Sequence, residues 1–472
     1  MKKLLYLLLT MAFSAVLLCG CGEKEAPAPT SVEINGTEYE FTTEYLDLTG
    51  IDSIDGFISN AELLDSVKKI SLGETALSAD RIEALKDAYP NAAVEYTVNI
   101  LGTSYPQDTE ELDLRNLQHS QVEETAAALS KLPELKTVTL VDRGRTDEYD
   151  PNEDGVVDYV RYHGDVSDLP FEDYVLLKEA APQADIEYCF ELFDLKINTV
   201  ITEKLQYKNK SIGDSGLDEF RKVLPYLDKL SYVSLDRCGT SDEETEKLNE
   251  EFPNKKIVWR IYFGPYTCMT DVETLWAMCI YDGQDNPIDS LKYCHELKNL
   301  DIGHSEVMDL SFLYGTPQLE VLIMSCGNYG SFEPVGSLKN LTYLEAGQSQ
   351  NNYPKDISPL ANCKNLEYLH LGLMSGLTDL SAIKELTNLK RLNLTQTYFT
   401  EEFLAQVDEL RELLPNTDIE ALQDLDSLLY GHWRFSDGGY TPMYQHIRDI
   451  FCYDDIYGQP KLYGEFDFEF ED

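Results

Sequence analysis

Between residues 150 and 158 the chain sets side-chain oxygens at alternating positions: Asp150, Asn152, Asp154 and then Asp158. Gly155 falls where such a loop must turn sharply, and the carbonyl of Val156 can add one more oxygen. Hard oxygen donors at this density suit Ca²⁺, which takes six to eight of them. Arg161 stands where a bidentate carboxylate would close the set, so modest affinity is expected, matched to calcium levels outside a cell. An acidic surface turn is the competing reading of the same residues. No other stretch is as suggestive. There is no GxSxG, no HExxH and no phosphate-cradling glycine loop. The seven histidines are scattered, and 85 acidic residues guarantee carboxylate pairs by chance, so no acid–base pair can be chosen. No catalytic residue emerges, and a non-enzymatic protein is expected.

The second candidate is Cys21. Lys2 and Lys3 precede an apolar run from Leu4 to Leu18, followed by Cys19-Gly20-Cys21. A cationic start, an apolar stretch and a small residue before a cut make a secretory signal, and the run is shorter than the roughly 20 residues that span a bilayer. The stretch resembles the lipobox of bacterial lipoproteins, with Cys19 a mild departure. That resemblance implies that residues 1–20 are removed, that Cys21 is acylated, and that the lipid holds the chain on the extracytoplasmic face of a bacterial membrane. Glu23 to Ser31 supplies a polar, proline-containing tether. Simple secretion remains the alternative. The 150–158 loop suits that location, because it resembles the DxNxDGxxD calcium loops of exported proteins more than a helix–loop–helix sensor.

A net charge of −47 repels phosphate backbones and argues against nucleic acid as a partner. It also keeps the chain off anionic lipid except through its anchor. With 43% hydrophobic residues the chain can bury a core. Beyond Cys21, cysteines stand at 189, 238, 268, 279, 294, 326, 363 and 452, with no CxxC pair. Buried free thiols fit this scatter, although an exported chain could form a bridge or two.

The elements that would position any site come from repeats. L-x-x-L-x-L, with other apolar residues allowed in its last place, occurs at Leu297-Leu300-Ile302, Leu319-Leu322-Met324, Leu341-Leu344-Ala346, Leu366-Leu369-Leu371 and Leu389-Leu392-Leu394. The starts lie 22, 22, 25 and 23 residues apart. Alternation puts two apolar side chains on one face of a short strand, which stacked parallel coils can bury and a lone strand cannot. The pattern resembles the leucine-rich-repeat superfamily, nearest to the internalin-like bacterial class. That class usually carries Asn five residues after the second leucine, where this chain has Ser305, Gly327, Ser349, Met374 and Thr397. A less regular turn is expected there.

The N-terminal half reads as a looser version. Leu46/Leu48, Ile70/Leu72, Leu112/Leu114, Val138/Leu140 and Val233/Leu235 mark strands. Leu85, Leu177, Leu248 and Leu410 each stand five residues before a proline, and Val94, Ile186, Ile257 and Ile419 each follow that proline by four. Each set predicts a helix ended near the proline, a turn and a strand. Ser241 and Glu244 fit a capping box at one such helix. Residues 34–48 and 100–114 match at an offset of 66, so two or three coils form a super-repeat of roughly 65–70 residues. Leu72 to Leu85 spans 13 residues whereas Leu140 to Leu177 spans 37, which makes 143–166 an insertion.

The chain is therefore expected to be an α/β leucine-rich-repeat solenoid: short parallel strands on a concave face, helices or irregular turns on the convex face, and a C-terminal cap. The domains are a signal at 1–20, a tether at 21–31, an irregular solenoid at 32–290, regular repeats at 291–422, and an aromatic, acidic cap at 423–472. Trp433, Arg434, Phe435, Tyr440, Tyr444, Phe451 and Tyr453 sit in that cap. They cover the solenoid or form a small binding module.

Solenoids of this kind bind along the concave sheet, so a protein or glycan ligand is expected there. Asp301, Glu345, His370 and Asn393 point away from the core leucines, as do Tyr343, Tyr368 and Arg391 two places earlier in their coils. Aromatics and Arg suit interfaces, and flat rings suit sugars. An envelope scaffold, or less plausibly a hydrolase with its site in the C-terminal region, stays open as an alternative.

Overall fold

The computed structural model describes residues 29–142, 144, 146–149, 159–281, 288–348, 354–374, 376–423, 433–436, 439–453 and 465–466. Cys21 and the 150–158 loop lie outside these residues. The strands Thr146–Tyr149 and Tyr159–Tyr162, on either side of that loop, pair antiparallel. The chain divides into two compact units, one of residues 1–142 with 167–188 and the other of 143–166 with 189–472.

In the first unit two parallel ladders follow one another. Tyr45–Asp47, Lys69–Glu74 and Ala93–Ile100 make one, and Glu111–Asp113, Thr137–Thr139 and Asp185–Glu187 the other. Leu46, Ile70, Val94, Leu112, Val138 and Ile186 occupy matching register and are buried. Two of the proline-marked helices are here, Ala79–Ala88 and Phe171–Ala180, with Leu85 and Leu177 fully buried on their inner faces. Both end two residues before a proline, because the residue ahead of Pro is pushed out of the helical region.

The second unit opens with a parallel ladder of Lys204–Lys208, Tyr232–Asp236 and Lys256–Phe263, backed by helices Gly213–Val223 and Asp242–Glu251. The Ser241 hydroxyl accepts from the Glu244 amide as the capping box predicts. A seven-stranded parallel sheet then runs through Thr274–Trp276, Asn299–Asp301, Val321–Ile323, Tyr343–Glu345, Tyr368–His370, Arg391–Asn393 and Asp418–Glu420. All five L-x-x-L-x-L motifs fall on this sheet. Their central leucines, Leu300, Leu322, Leu344, Leu369 and Leu392, stack in register and are fully buried. The coils return through short 3₁₀ turns that bury Leu313, Val335, Leu360 and Ile383. Three of those turns open in the same way, with the carboxylates of Asp309, Asp356 and Asp379 accepting from the amides of Ser311, Ser358 and Ser381.

Two local expectations are corrected. Loss of the usual asparagine was expected to make the turn after each strand irregular. Instead His304, Cys326, Gln348 and Leu373, each one place before the position in question, adopt the left-handed conformation with φ between 57° and 61°, as does Cys279 one coil earlier, so the backbone turn repeats in those coils. The coil that carries Thr397 has no such residue at 396 or 397. Where Ser305 is available its hydroxyl accepts from the Ile280 amide at 3.0 Å. Stacking asparagines do exist, one place before the first leucine: Asn365 and Asn388 each donate to a carbonyl of the preceding coil, at 2.8 Å.

The second correction concerns the super-repeat, which does not consist of parallel coils alone. Antiparallel hairpins also occur among the described residues, including Ser31–Ile34 with Thr37–Glu40, Ala93–Ile100 with Thr103–Pro106, Cys189–Leu192 with Leu195–Asn198, and Lys256–Phe263 with Tyr266–Met269. The first three turn through two residues of positive φ, Asn35-Gly36, Leu101-Gly102 and Phe193-Asp194, the geometry that matches strand twist.

All eight described cysteines are free thiols, and Cys189, Cys238, Cys268, Cys294 and Cys363 are buried. Among the described residues no helix is long and apolar enough to cross a membrane.

Candidate functional site

Stacking brings all seven candidate ligand residues onto one face of the seven-stranded sheet. One row runs Asn299, Val321, Tyr343, Tyr368, Arg391 and Asp418. Two residues along each strand a second row runs Asp301, Ile323, Glu345, His370, Asn393 and Glu420. The leucine row between them points the other way, into the solenoid.

The face is not open as expected. The C-terminal cap lies across its middle. Trp433, Tyr444, Ile447 and Phe451 form one apolar cluster with Val321, Ile323 and Tyr343, and Trp276, Tyr368 and Tyr453 pack at its margin. Tyr343 is 2% exposed and Glu345 1%, while Asp301, His370 and Asn393 are also buried. Only Tyr368 and Arg391 keep partial exposure. The expected bare ridge of tyrosines is therefore replaced by a ridge sealed under an aromatic cover. A double replacement of Tyr343 and Tyr368 would consequently cost stability as well as any binding.

The cover is built to satisfy the acids beneath it. Thr441 caps the helix Pro442–Phe451, its hydroxyl accepting from the Tyr444 amide, and Pro442 stands at a first-turn position that needs no amide donor. Spacing on that helix aligns Tyr444, Ile447 and Phe451 on the buried side. The Trp433 indole donates to Glu345 Oε1 at 2.7 Å and to the Tyr343 hydroxyl at 3.2 Å. Arg434 donates to Glu345 Oε2 and forms an ion pair with it. The Tyr343 hydroxyl bonds Glu345, and Ser325 adds a contact at 3.3 Å. Farther along, the Tyr453 hydroxyl donates to Asp301 Oδ2, while Oδ1 accepts from the Gly303 amide at 2.8 Å. The His370 ring meets Trp433 edge-on at 5.2 Å, and the Arg391 guanidinium lies 5.5 Å from the indole centre. Asn393 is used locally, accepting from the Thr395 amide. Gly347 is required beside His370, because a Cβ there would collide with the imidazole.

Burial drives the protonation of these groups in different directions. It pushes Glu345 up, but the Arg434 charge and the converging hydrogen bonds outweigh it and hold the carboxyl at about 2. Asp301 lacks a cation of its own, so burial lifts it to about 6 against the bonds from Tyr453 and Gly303. His370 is pushed down to about 4, chiefly by burial, with the nearby Glu345 charge opposing.

This arrangement has the chemistry of a binding interface. Among the described residues no group of three or more metal-ligating side chains converges. The sequence singled out Trp433, Arg434, Tyr444 and Tyr453 without placing them against Glu345 and Asp301. The helical spacing of Tyr444, Ile447 and Phe451 was the available signal for a buried face.

The coils define a leucine-rich-repeat solenoid. One internalin of Listeria monocytogenes is similar at 13% identity, covering 84% of this chain and 88% of its own, with a TM-score of 0.24. A second internalin of the same organism shows 20% identity over 48% of this chain and 86% of its own, with a TM-score of 0.25. A leucine-rich-repeat protein of Leptospira interrogans shows 17% identity over 76% and 91%, with a TM-score of 0.26. No protein-family profile and no curated protein matches the sequence.

Proposed function

We propose that this protein is a non-enzymatic recognition lipoprotein, held outside the cytoplasmic membrane by a lipid on Cys21, that engages a protein or glycan ligand on its concave sheet. One observation carries the reading: the concave face accommodates an aromatic polypeptide segment through side-chain contacts, its own 433–453 region, with a Trp and an Arg seated on a buried carboxylate. Trp, Tyr and Arg dominate the energetic centres of interfaces. The test is a surface-protein and glycan array probed with the full exported chain and with its Trp433→Ala/Arg434→Ala variant. Specific capture that is lost on adding Tyr368→Ala and Arg391→Ala supports the reading. Absence of capture by either chain favours an envelope scaffold instead.

The anchor makes a separate prediction. Cys21→Ser should move the protein from the membrane fraction to the soluble exported fraction, and mass spectrometry should find the acyl chain on residue 21 of the unmutated protein only. Membrane retention of the variant, with no acyl group at that residue, removes the lipoprotein reading.

Asp150, Asn152, Asp154, Asp158 and the Val156 carbonyl are proposed to hold Ca²⁺ as a structural clip between the paired strands that flank them. Calorimetric titration at millimolar calcium should give binding heat that Asp150→Ala with Asp154→Ala abolishes. No heat from the unmutated chain rejects the site.

A further inference from the structure

We infer that the 433–453 segment is a built-in surrogate for the ligand, and that the partner is a polypeptide presenting an indole beside a guanidinium on an aromatic, amphipathic stretch. It engages by displacing this chain's own copy. The inference rests on the reading of the concave face as a recognition surface and adds the ligand class and the gate.

Three observations support it. The uncovered face would show an apolar strip of Val321, Ile323 and Tyr343 lying between the carboxylates of Glu345 and Asp301. Such a strip selects an aromatic group that also carries positive charge or donates hydrogen bonds, and the highly acidic chain around it attracts cations from a distance. Trp433, Arg434 and Tyr453 meet those demands one for one.

The manner of attachment is the second point. Among the described residues, backbone hydrogen bonds of 433–453 run within the segment: Thr441 to Arg434, Gln445 to Thr441 and Tyr453 to Arg448. The segment adds no strand to the concave sheet, so its departure breaks no ladder of that sheet. Third, the Arg434 side chain remains 40% exposed although its partner Glu345 is sealed, so an incoming cation can approach the pair from solvent.

A tethered copy acts at an effective concentration of about millimolar, so a competitor of equal intrinsic strength is excluded until it exceeds that level or the tether is weakened. The probe is a synthetic peptide spanning residues 431–453, titrated onto the full exported chain. It should bind the Trp433→Ala/Arg434→Ala chain at least ~100-fold more tightly than the unmutated chain. Adding Glu345→Gln to that variant should weaken binding at least ~10-fold, since the guanidinium loses its ion pair and the indole's charge-assisted bond becomes a neutral one. A scrambled peptide should bind none of them.

Hydrogen exchange on the unmutated chain guards against a variant that merely unfolds. Amides of 444–453 should open in a separate event of lower free energy than those of 343–345 and 368–370. Exchange of both sets only in one global opening would overturn the inference, as would absent peptide binding by a variant that still melts cooperatively. Peptide binding with empty arrays supports displacement and overturns recognition of an outside ligand. Array capture without peptide binding overturns the surrogate alone.

Discussion

Arg434→Ala is expected to loosen the cap by about 2–3 kcal/mol, read as faster amide exchange across 444–453 and a lower melting temperature. Removing one partner of a buried ion pair costs about 3–5 kcal/mol, because the other charge is left unpaired. Solvent at the half-exposed guanidinium lowers that figure. Release of the segment sets a ceiling, since Glu345 regains water once the cover lifts. Arg434→Lys should restore only part of the loss: a point charge cannot reproduce the planar, hydrogen-bonded contact with Glu345 or lie over the Tyr444 ring, 4.8 Å away.

The pH dependence identifies the cause. Glu345 has a folded value of about 2 against an ordinary 4.5, so its stabilising contribution is complete above 4.5 and is lost as pH falls towards 2. Without Arg434 burial dominates and the carboxyl swings upward. The gap in stability between the unmutated chain and Arg434→Ala should therefore begin to narrow above pH 4.5, as the variant's raised carboxyl takes up its proton, and go on narrowing as pH falls towards 2. A gap that stays constant down to pH 3 would mean that lost packing, not an unpaired charge, explains the variant.

The parts of this fold that repeat were legible, and the parts that depend on distant contact were not. Leu300, Leu322, Leu344, Leu369 and Leu392 mark a local requirement met once per coil, so spacing alone located their strands. The prolines at 90, 182, 253 and 415 act on the residue beside them, so helix ends were readable too. Alternation then placed Glu345 and His370 opposite the leucines. Nothing local says that Trp433 rests on Glu345, a contact across 88 positions of sequence. A buried carboxylate and an exposed one read alike in a chain with 85 acidic residues. The hairpins lie outside the repeat pattern read from the sequence: Asn35-Gly36 carries a local turn signal, whereas Leu101-Gly102 and Phe193-Asp194 place bulky or charged residues at positive φ that sequence alone does not announce.

The remaining prediction follows from Asp301 and His370, which lie in the same row and titrate against each other's effect on stability. His370 is lowered from 6.5 to about 4, so it contributes fully above 6.5 and that contribution is lost as pH falls towards 4. Asp301 is raised from 3.8 to about 6, so its contribution is complete below 3.8 and is lost as pH rises through 6. Each amounts to about 3 kcal/mol at 1.36 kcal/mol per unit, and over pH 4–6.5 they run in opposite directions. Acidifying the unmutated chain across that window therefore sets a loss from His370 against a gain from Asp301. Asp301→Asn removes the gain, and its melting temperature should fall relative to the unmutated chain as pH goes from 6.5 to 4. His370→Asn removes the loss and should show the opposite slope. Comparing each variant with the unmutated chain at every pH cancels the many surface carboxylates that titrate in both. Glu345, Arg391, Arg434 and Tyr453 surround the pair and are unchanged in these variants, so they shift the midpoints without reversing the slopes. Three parallel profiles would show that neither group is sealed in solution, and so that the cap does not rest on this face in the closed form described.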